Sequence, residues 1–297
     1  MPNRTPIITI TTDFQVGNIY TPQMKGVIYT LAPSVKIVDI TDAIPPQDVM
    51  SGAVALAEVV PFFPAGTIHI AVIDPGVGSA RKLLYLELGD VENPQILLVP
   101  DNGLITILEK SYPIRRTFSL ESAYTWRTSV SSTFHGRDIL APTAARLASE
   151  TVQPEELGPT VNPKILSRLV IPTPKIRENK LLGVVLYADS FGNLVTNITY
   201  DLISSIPEVS SESSSETDFG NSSGSGFISI SSLTSEKLRV PVVKTYADAE
   251  PGEVVALWGS GGRLEIAVVN GSAVRKLGFS VGMLWEVTFS GNRLSDF

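Results

Sequence analysis

From residue 6 to residue 149, short β-rich runs alternate with helical patterns, and no other feature of the chain constrains its fold so tightly. Pro6–Thr12 (PIITITT), Val35–Ile40, Thr67–Ile73, Leu83–Leu88 and Gln95–Val99 read as strands. Pro22–Leu31, Gln47–Val60 and Gly136–Ser149 read as helices, the first with proline in its opening turn. Such alternation favours a layered α/β domain with a largely parallel sheet. The pattern changes after about residue 165, where Pro163, Pro172 and Pro174 punctuate a connector. Beyond it Leu181–Tyr187, Gly226–Ile230, Leu238–Val243, Val254–Trp258, Leu264–Val269 and Met283–Phe289 are β-rich, with no long helical pattern among them. The expected organisation is an N-terminal α/β domain over residues 1–165, a linker over 166–180 and a small all-β, barrel-like domain over 181–297. Ser210–Gly226 (SSESSSETDFGNSSGSG) is low in complexity and is expected to form a mobile loop between strands.

Hydrophobic residues make up 43% of the chain and charged residues 18%, enough for a sizeable core. The net charge of −7 argues against a general binder of nucleic-acid backbones. Cysteine is absent, which excludes disulfides, thiolate nucleophiles and zinc–thiolate sites and fits a reducing compartment. The opening MPNRTPIITITTDF has no signal-peptide pattern, and no apolar run approaches the length of a membrane span. The expectation is a cytoplasmic protein without membrane or nucleic-acid partners.

Polar clusters stand where strands end, the edge at which open α/β sheets bind ligands. Thr12-Asp13-Phe14 follows the first strand. A carboxylate there can accept both hydroxyls of a ribose, although alone it reads more simply as a turn or helix-capping aspartate. Asp74-Pro75-Gly76-Val77-Gly78, with Arg81 just beyond, is a glycine-rich turn that matches neither a Walker loop nor a dinucleotide fingerprint. Phe134-His135-Gly136-Arg137-Asp138 opens a helix. Of the two histidines, His69 lies in the alternating strand TIHIAV and reads as structural, whereas His135 stands at a loop-to-helix junction suited to chemistry. Two histidines so far apart make a poor metal site without thiolates, a carboxylate-only magnesium site stays open, and no G-x-S-x-G elbow supports a serine hydrolase. In the second half, Asp189-Ser190-Phe191-Gly192-Asn193-Leu194-Val195-Thr196-Asn197 offers an acid and an amide around an aromatic ring, or simply an Asx-rich turn.

In this order and at these separations the clusters resemble the S-adenosylmethionine (SAM) hydrolase (adenosine-forming) family, also described as SAM hydroxide adenosyltransferases and homologous to the SAM-dependent fluorinase and chlorinase. The resemblance is carried by TDF (Thr12–Phe14) with MKG (Met24–Gly26), FFPAGTIHIAVIDPGVG (Phe62–Gly78), PDNGL (Pro100–Leu104), FHGRDILAP (Phe134–Pro142), DSFGNLVTN (Asp189–Asn197) and GSGGRLEIAVVNGSA (Gly259–Ala273). It spans nearly the whole chain except the serine-rich insertion. It implies an α/β domain, a C-terminal β-barrel, and a homotrimer whose substrate lies between the N-terminal domain of one subunit and the C-terminal domain of the next.

By the same resemblance, Asp13 binds the ribose hydroxyls, and Asp189 and Ser260 hold the methionine amine and carboxylate. Phe191, Asn193 and Tyr246 line the adenine pocket, with backbone near Val268 and Asn270 facing the base edge. Asp74, Arg81 and His135 match the set credited with activating water. The reaction implied is attack of water or hydroxide on C5′ of SAM, giving adenosine and L-methionine with no metal and no cofactor. A sulfonium is already an excellent leaving group, so the demand is a positioned oxygen nucleophile. A SAM-dependent halogenase and a non-catalytic adenosine- or SAM-binding protein are the alternatives, and the Asp/His pair, which the halogenating relatives lack, favours water. The chain departs from the family pattern at Gln15, where glycine is usual after TDF, at Asn18, where an acid is frequent, and at Pro22 before MKG.

Overall fold

The computed structural model describes residues 5–177, 180–204, 227–232, 238–278 and 281–290, so the serine-rich segment 210–226 lies outside the described residues. Contacts divide the chain into two compact units, Met1–Val170 and Ile171–Phe297.

Unit 1 contains strands β1 (Ile7–Thr12), β2 (Lys36–Thr41), β3 (Ile68–Val72), β4 (Leu83–Leu88), β5 (Gln95–Pro100) and β6 (Ile114–Ser119), with helices α1 (Tyr20–Leu31), α2 (Val49–Val59) and α3 (Ala141–Ala148). They form one sheet in the order β2-β1-β3-β5-β4-β6. β1 runs parallel to β2 and β3, and β3 to β5, whereas β4 is antiparallel to both β5 and β6. The sheet is therefore mixed. Parallel neighbours need a crossover of roughly a dozen residues or more, and the short stretch from Gly89 to Pro94 between β4 and β5 allows only reversal. Side chains alternate between two apolar layers. Ile8, Ile10, Ile68, Ile70 and Val72 pack with Met24 and Ile28 of α1 and Ala144 and Ala145 of α3. Ala71, Ile73, Leu84, Leu86, Leu97 and Val99 pack with Leu56 of α2.

The helix expected over Gly136–Ser149 begins instead with one π-helical turn, Gly136–Leu140, before α3. Pro142 explains the irregularity: it has no N–H to give to the carbonyl of Asp138 four residues earlier. That carbonyl accepts the N–H of Arg127 instead, at 2.9 Å.

His69 is structural, as its strand position suggests. It is buried on β3 with Thr9 Oγ1 2.8 Å from Nδ1 and Gln95 Oε1 3.1 Å from Nε2. The Gln95 amide nitrogen donates to the Phe63 carbonyl at 3.0 Å, which turns Oε1 toward the imidazole. Burial pushes the imidazole down to about 4, against the opposing hydrogen bond to Gln95.

Unit 2 contains β7 (Lys175–Arg177), β8 (Lys180–Ala188), β9 (Leu194–Thr199), β10 (Phe227–Ser232), β11 (Leu238–Pro241), β12 (Val254–Trp258), β13 (Arg263–Val268) and β14 (Leu284–Ser290), with two short helices, α4 (Tyr200–Ser204) and α5 (Ala273–Leu277). The described strand pairings are antiparallel, in the order β11-β10-β14-β8-β9-β13-β12, and β7 adds to β8. The sheet curls until its two ends approach: Val242, just past β11, bridges to Ala256 of β12, and Val243 N donates to the Ala256 carbonyl at 2.9 Å. Leu181, Val185, Leu194, Ile198, Ile228, Ile266, Trp285 and Val287 fill the nearly closed barrel. Among the described residues no helix is long and apolar enough to cross a membrane.

Candidate active site

β1 and β3 are neighbours with Thr12 opposite Val72, so Asp13 and Asp74 leave the sheet side by side at its carboxyl end. Asp13 is half-buried, and its Oδ2 accepts the backbone N–H of Gln47 at 2.7 Å. Gln15, where glycine was expected, has φ +71°, a left-handed conformation that costs a side chain about 1–2 kcal/mol. Its backbone N–H donates to Asp42 O at 2.7 Å, and its side-chain amide donates to Ile44 O at 2.7 Å and Asp13 O at 3.2 Å. These bonds hold glutamine in a glycine's geometry. Asn18 accepts the Tyr20 N–H at 3.2 Å. Two of the three departures from the family pattern, Gln15 and Asn18, thus serve the backbone of the loop that carries Asp13.

Beyond β3, Asn102 donates through Nδ2 to the Ile73 carbonyl at 2.8 Å, so the PDNGL turn steadies the peptide that precedes Asp74. Two overlapping turns follow, with Val77 N donating to Asp74 O at 3.2 Å and Ser79 N to Gly76 O at 3.1 Å. They fold Arg81 back onto Asp74. Arg81 Nε donates to Asp74 Oδ1 at 2.8 Å and to Oδ2 at 2.9 Å, and Nη2 donates to Oδ2 as well. The side chains are only 10% and 6% exposed.

Arg81 Nη2 also donates to His135 Nδ1, at 3.0 Å. A guanidinium has no lone pair to offer, so Nδ1 is the acceptor and the neutral ring carries its proton on Nε2. Burial first and the Arg81 charge second push the imidazole below its ordinary value, opposed by Asp74 and Asp138. The neutral form is the resting one at neutral pH.

The His135 loop is anchored from behind. Asp138 is fully buried and accepts Arg127 Nη1 at 2.8 Å, Arg137 Nε at 2.7 Å and Nη2 at 2.9 Å, and the Ser131 N–H at 2.8 Å. Burial pushes its carboxyl up, but the hydrogen bonds from Arg137, Ser131 and Arg127 outweigh that and hold it at about 2. In front, Phe14, Tyr20 and Phe134 meet edge to face with centroids 5.4, 5.7 and 5.0 Å apart. This cluster seats the Asp13 loop against the His135 loop.

In unit 2, Asp189, Phe191, Asn193, Tyr246, Ser260, Val268 and Asn270 all line one open cleft of about 850 Å³. Asp189 Oδ1 accepts the N–H groups of Phe191 at 2.9 Å and Asn193 at 2.8 Å, and Oδ2 accepts Asn193 Nδ2 at 2.9 Å. Gly192 lies between them at φ +84°, with Ser272 Oγ only 2.2 Å from where a Cβ would stand. Phe191 is 76% exposed and Tyr246 41%, so the cleft presents two bare aromatic faces above hydrogen-bonding groups. That combination suits a flat heterocycle.

A family model for the SAM hydroxide adenosyltransferase N-terminal domain matches residues 8–158, and one for the C-terminal domain of the same family matches residues 183–286. The chain belongs to this family. Among SAM hydroxide adenosyltransferase relatives, it is similar to the (R)-S-adenosyl-L-methionine hydrolase of Salinispora tropica, at 34% identity over 96% of this chain and 98% of that one. The hydrolase of Thermus thermophilus is 36% identical over 91% and 95% of the two chains. A fluorinase from Actinopolyspora mzabensis is more distant, at 24% identity over 96% and 98%. The crystal structure of an uncharacterized conserved protein from Thermotoga maritima superposes with a TM-score of 0.80 at 30% identity, covering 95% of this chain and 99% of that one.

Two features of the candidate site were not singled out from sequence. Asp138 was quoted only as a letter of FHGRD, although an acid beside an arginine at a helix start is a visible cue to a buried anchor. Glu265 lines the unit 2 cleft and lies within the quoted GSGGRLEIAVVNGSA. Among the described residues no three His, Asp or Glu side chains gather as metal ligands would.

Proposed function

We propose that this enzyme hydrolyses S-adenosyl-L-methionine to adenosine and L-methionine in the cytoplasm. The observation that carries the reading is the Asp74–Arg81–His135 cluster at the carboxyl end of the unit 1 sheet. It is an arrangement for one small oxygen nucleophile, and the relatives named for this hydrolysis support it. Water oxygen forms a bond to C5′ as the C5′–S bond breaks, and the electron pair of that bond stays on the methionine sulfur. The positive charge moves from sulfur to the attacking oxygen, which then sheds a proton. His135 enters with its Nε2–H as a donor, because Arg81 occupies Nδ1. It therefore orients the water, and Asp74, whose carboxylate oxygens keep lone pairs beyond those used by Arg81, takes the proton. The sulfonium supplies the leaving group, so the reaction calls on no cofactor.

Asp13 is assigned to the ribose hydroxyls, and the unit 2 residues to adenine and the methionine end. The resemblance to the family adds to this reading a homotrimer in which unit 1 of one subunit and unit 2 of the next serve one substrate. The test is incubation with SAM, with and without halide, followed by chromatography. Adenosine should form at the same rate in both, and with oxygen from solvent water labelled with ¹⁸O. Halogenated nucleoside, or no product at all, would overturn the proposal.

A further inference from the structure

Unit 1 carries an open pocket of about 650 Å³ between α1, α3 and the segment 126–129. It shares no residue with the Asp74–Arg81–His135 cluster or with the unit 2 cleft. Arg127, Arg137 and Arg146 line it, and no described aspartate or glutamate does. In a chain of net charge −7, that is a local reversal of sign.

Two of the arginines are held by protein groups. Arg137 gives Nε and Nη2 to Asp138 and Nη1 to Gln23 Oε1 of α1 at 2.8 Å, with Cζ 4.9 Å from the centroid of the Phe134 ring. Arg127 gives Nη1 to the same buried carboxylate at 2.8 Å. A guanidinium carries more N–H donors than these bonds use, so both keep some to spare.

Arg146 is placed differently. It is half-buried on α3, and its Nε is closed off from solvent with no hydrogen-bond partner among the described residues. Its charge is felt by Tyr124, but the acid beside that phenol is otherwise engaged: Glu156 accepts Tyr124 Oη at 3.3 Å and the Gln153 N–H at 2.7 Å. A partly dehydrated cation without a counter-charge is costly, and a bound anion relieves that cost.

Three guanidiniums face the single Asp138 carboxylate, which leaves an excess of two positive charges. That balance fits a dianion better than a carboxylate, and planar N–H forks suit an oxyanion with several acceptor oxygens. Thr128 and Ser129 add exposed hydroxyls, and Trp126, Val27 and Leu31 give the pocket an apolar wall. We propose that this pocket binds a phosphoryl dianion, as inorganic phosphate or as the phosphate of a small organic molecule, with Arg146 as its principal charge. The site does not depend on the hydrolase reading given above.

The test titrates the whole protein with inorganic phosphate and, separately, with phenyl phosphate at constant ionic strength. Calorimetry gives the affinity, and NMR follows the Trp126 indole N–H, assigned by its loss in Trp126→Phe. Phosphate should move that resonance and bind with a Kd of about 1 mM or tighter. Sodium chloride at the same ionic strength should leave the resonance in place. Tighter binding of phenyl phosphate assigns the pocket to an organic phosphate, and equal binding assigns it to the free ion. Arg146→Gln should weaken phosphate at least about tenfold. If that variant fails to fold, Arg146→Lys, which keeps the charge but loses the fork, should weaken it about threefold or more. An unmoved Trp126 resonance, the same shift with chloride, or unchanged affinity in a folded Arg146 variant overturns the inference.

Discussion

Replacing Asp74 by asparagine tests the proposed reaction centre and its scaffold in one variant. The carboxylate accepts Arg81 Nε at 2.8 and 2.9 Å, and the two side chains are 6% and 10% exposed. Asparagine keeps the shape and one carbonyl acceptor, but it removes the charge and turns an N–H₂ toward a guanidinium. Breaking a buried ion pair from one side costs about 3–5 kcal/mol, and the retained acceptor points to the lower end, about 3 kcal/mol. In a unit of the size of Met1–Val170 that lowers the unfolding midpoint by about 6–12 °C, read by calorimetry. Turnover, followed as adenosine well below that midpoint, should fall at least about tenfold, or 1.4 kcal/mol of barrier. A third readout is the His135 imidazole, lowered by Arg81 and raised by Asp74. Losing the Asp74 charge should move its titration to lower pH, and Arg81→Met should move it upward. With only two histidines in the chain, and His69 titrating near 4, the ring resonances separate in an NMR titration. A midpoint within about 2 °C of wild type with turnover within about threefold would refute the argument.

Other outcomes follow from the same coordinates. The folded value of His69 is about 4 against an ordinary 6.5, so the unfolded chain binds more protons between them. Stability should fall as pH drops through that window, by up to about 3 kcal/mol, and denaturant unfolding of His69→Gln should show a shallower loss. Gly192→Ala, at φ +84° with Ser272 Oγ at 2.2 Å, should destabilise unit 2 by about 1–2 kcal/mol from backbone strain alone and weaken adenosine binding measured by calorimetry. Light scattering should report a trimer, and mixing inactive Asp13→Ala and Asp189→Ala subunits should restore part of the activity; a fully active monomer would contradict the shared-site proposal.

The strands of unit 1 could be read because their apolar runs are short, bounded by turns and separated by helical periods. β6 was not, since its sequence IRRTFS puts Arg115 and Arg116 where apolar residues were sought. Those arginines pair with Glu87 of the neighbouring β4, at 2.9 and 2.8 Å, an arrangement that only the register reveals. β9 was passed over for a related reason: Thr196 and Asn197 look like turn residues, yet both are buried, Thr196 donating to Leu264 O at 2.9 Å and Asn197 accepting the Val184 N–H at 2.8 Å. The single helix expected from Gly136 concealed its π turn because periodicity does not report which carbonyl loses a donor to Pro142. The gathering of Asp74, Arg81 and His135 rested on the family resemblance, because residues 54 apart, as Arg81 and His135 are, carry no mutual signal in spacing.

The guanidinium of Arg81 is compensated by the protein's own side chains. Its neighbour on one side is a carboxylate gripped by both kinds of its nitrogens, and on the other an uncharged imidazole. The corner therefore has strong local dipoles and almost no net monopole. Anions concentrate where the potential is positive over several ångströms, and here opposite charges within hydrogen-bonding distance cancel it. A chloride ion would have to give up its hydration without an uncompensated cation in return. Water, already abundant and itself a dipole, needs only to be turned. In the proposed hydrolysis, charge balance among these three side chains would make the choice between them, independently of the sulfonium.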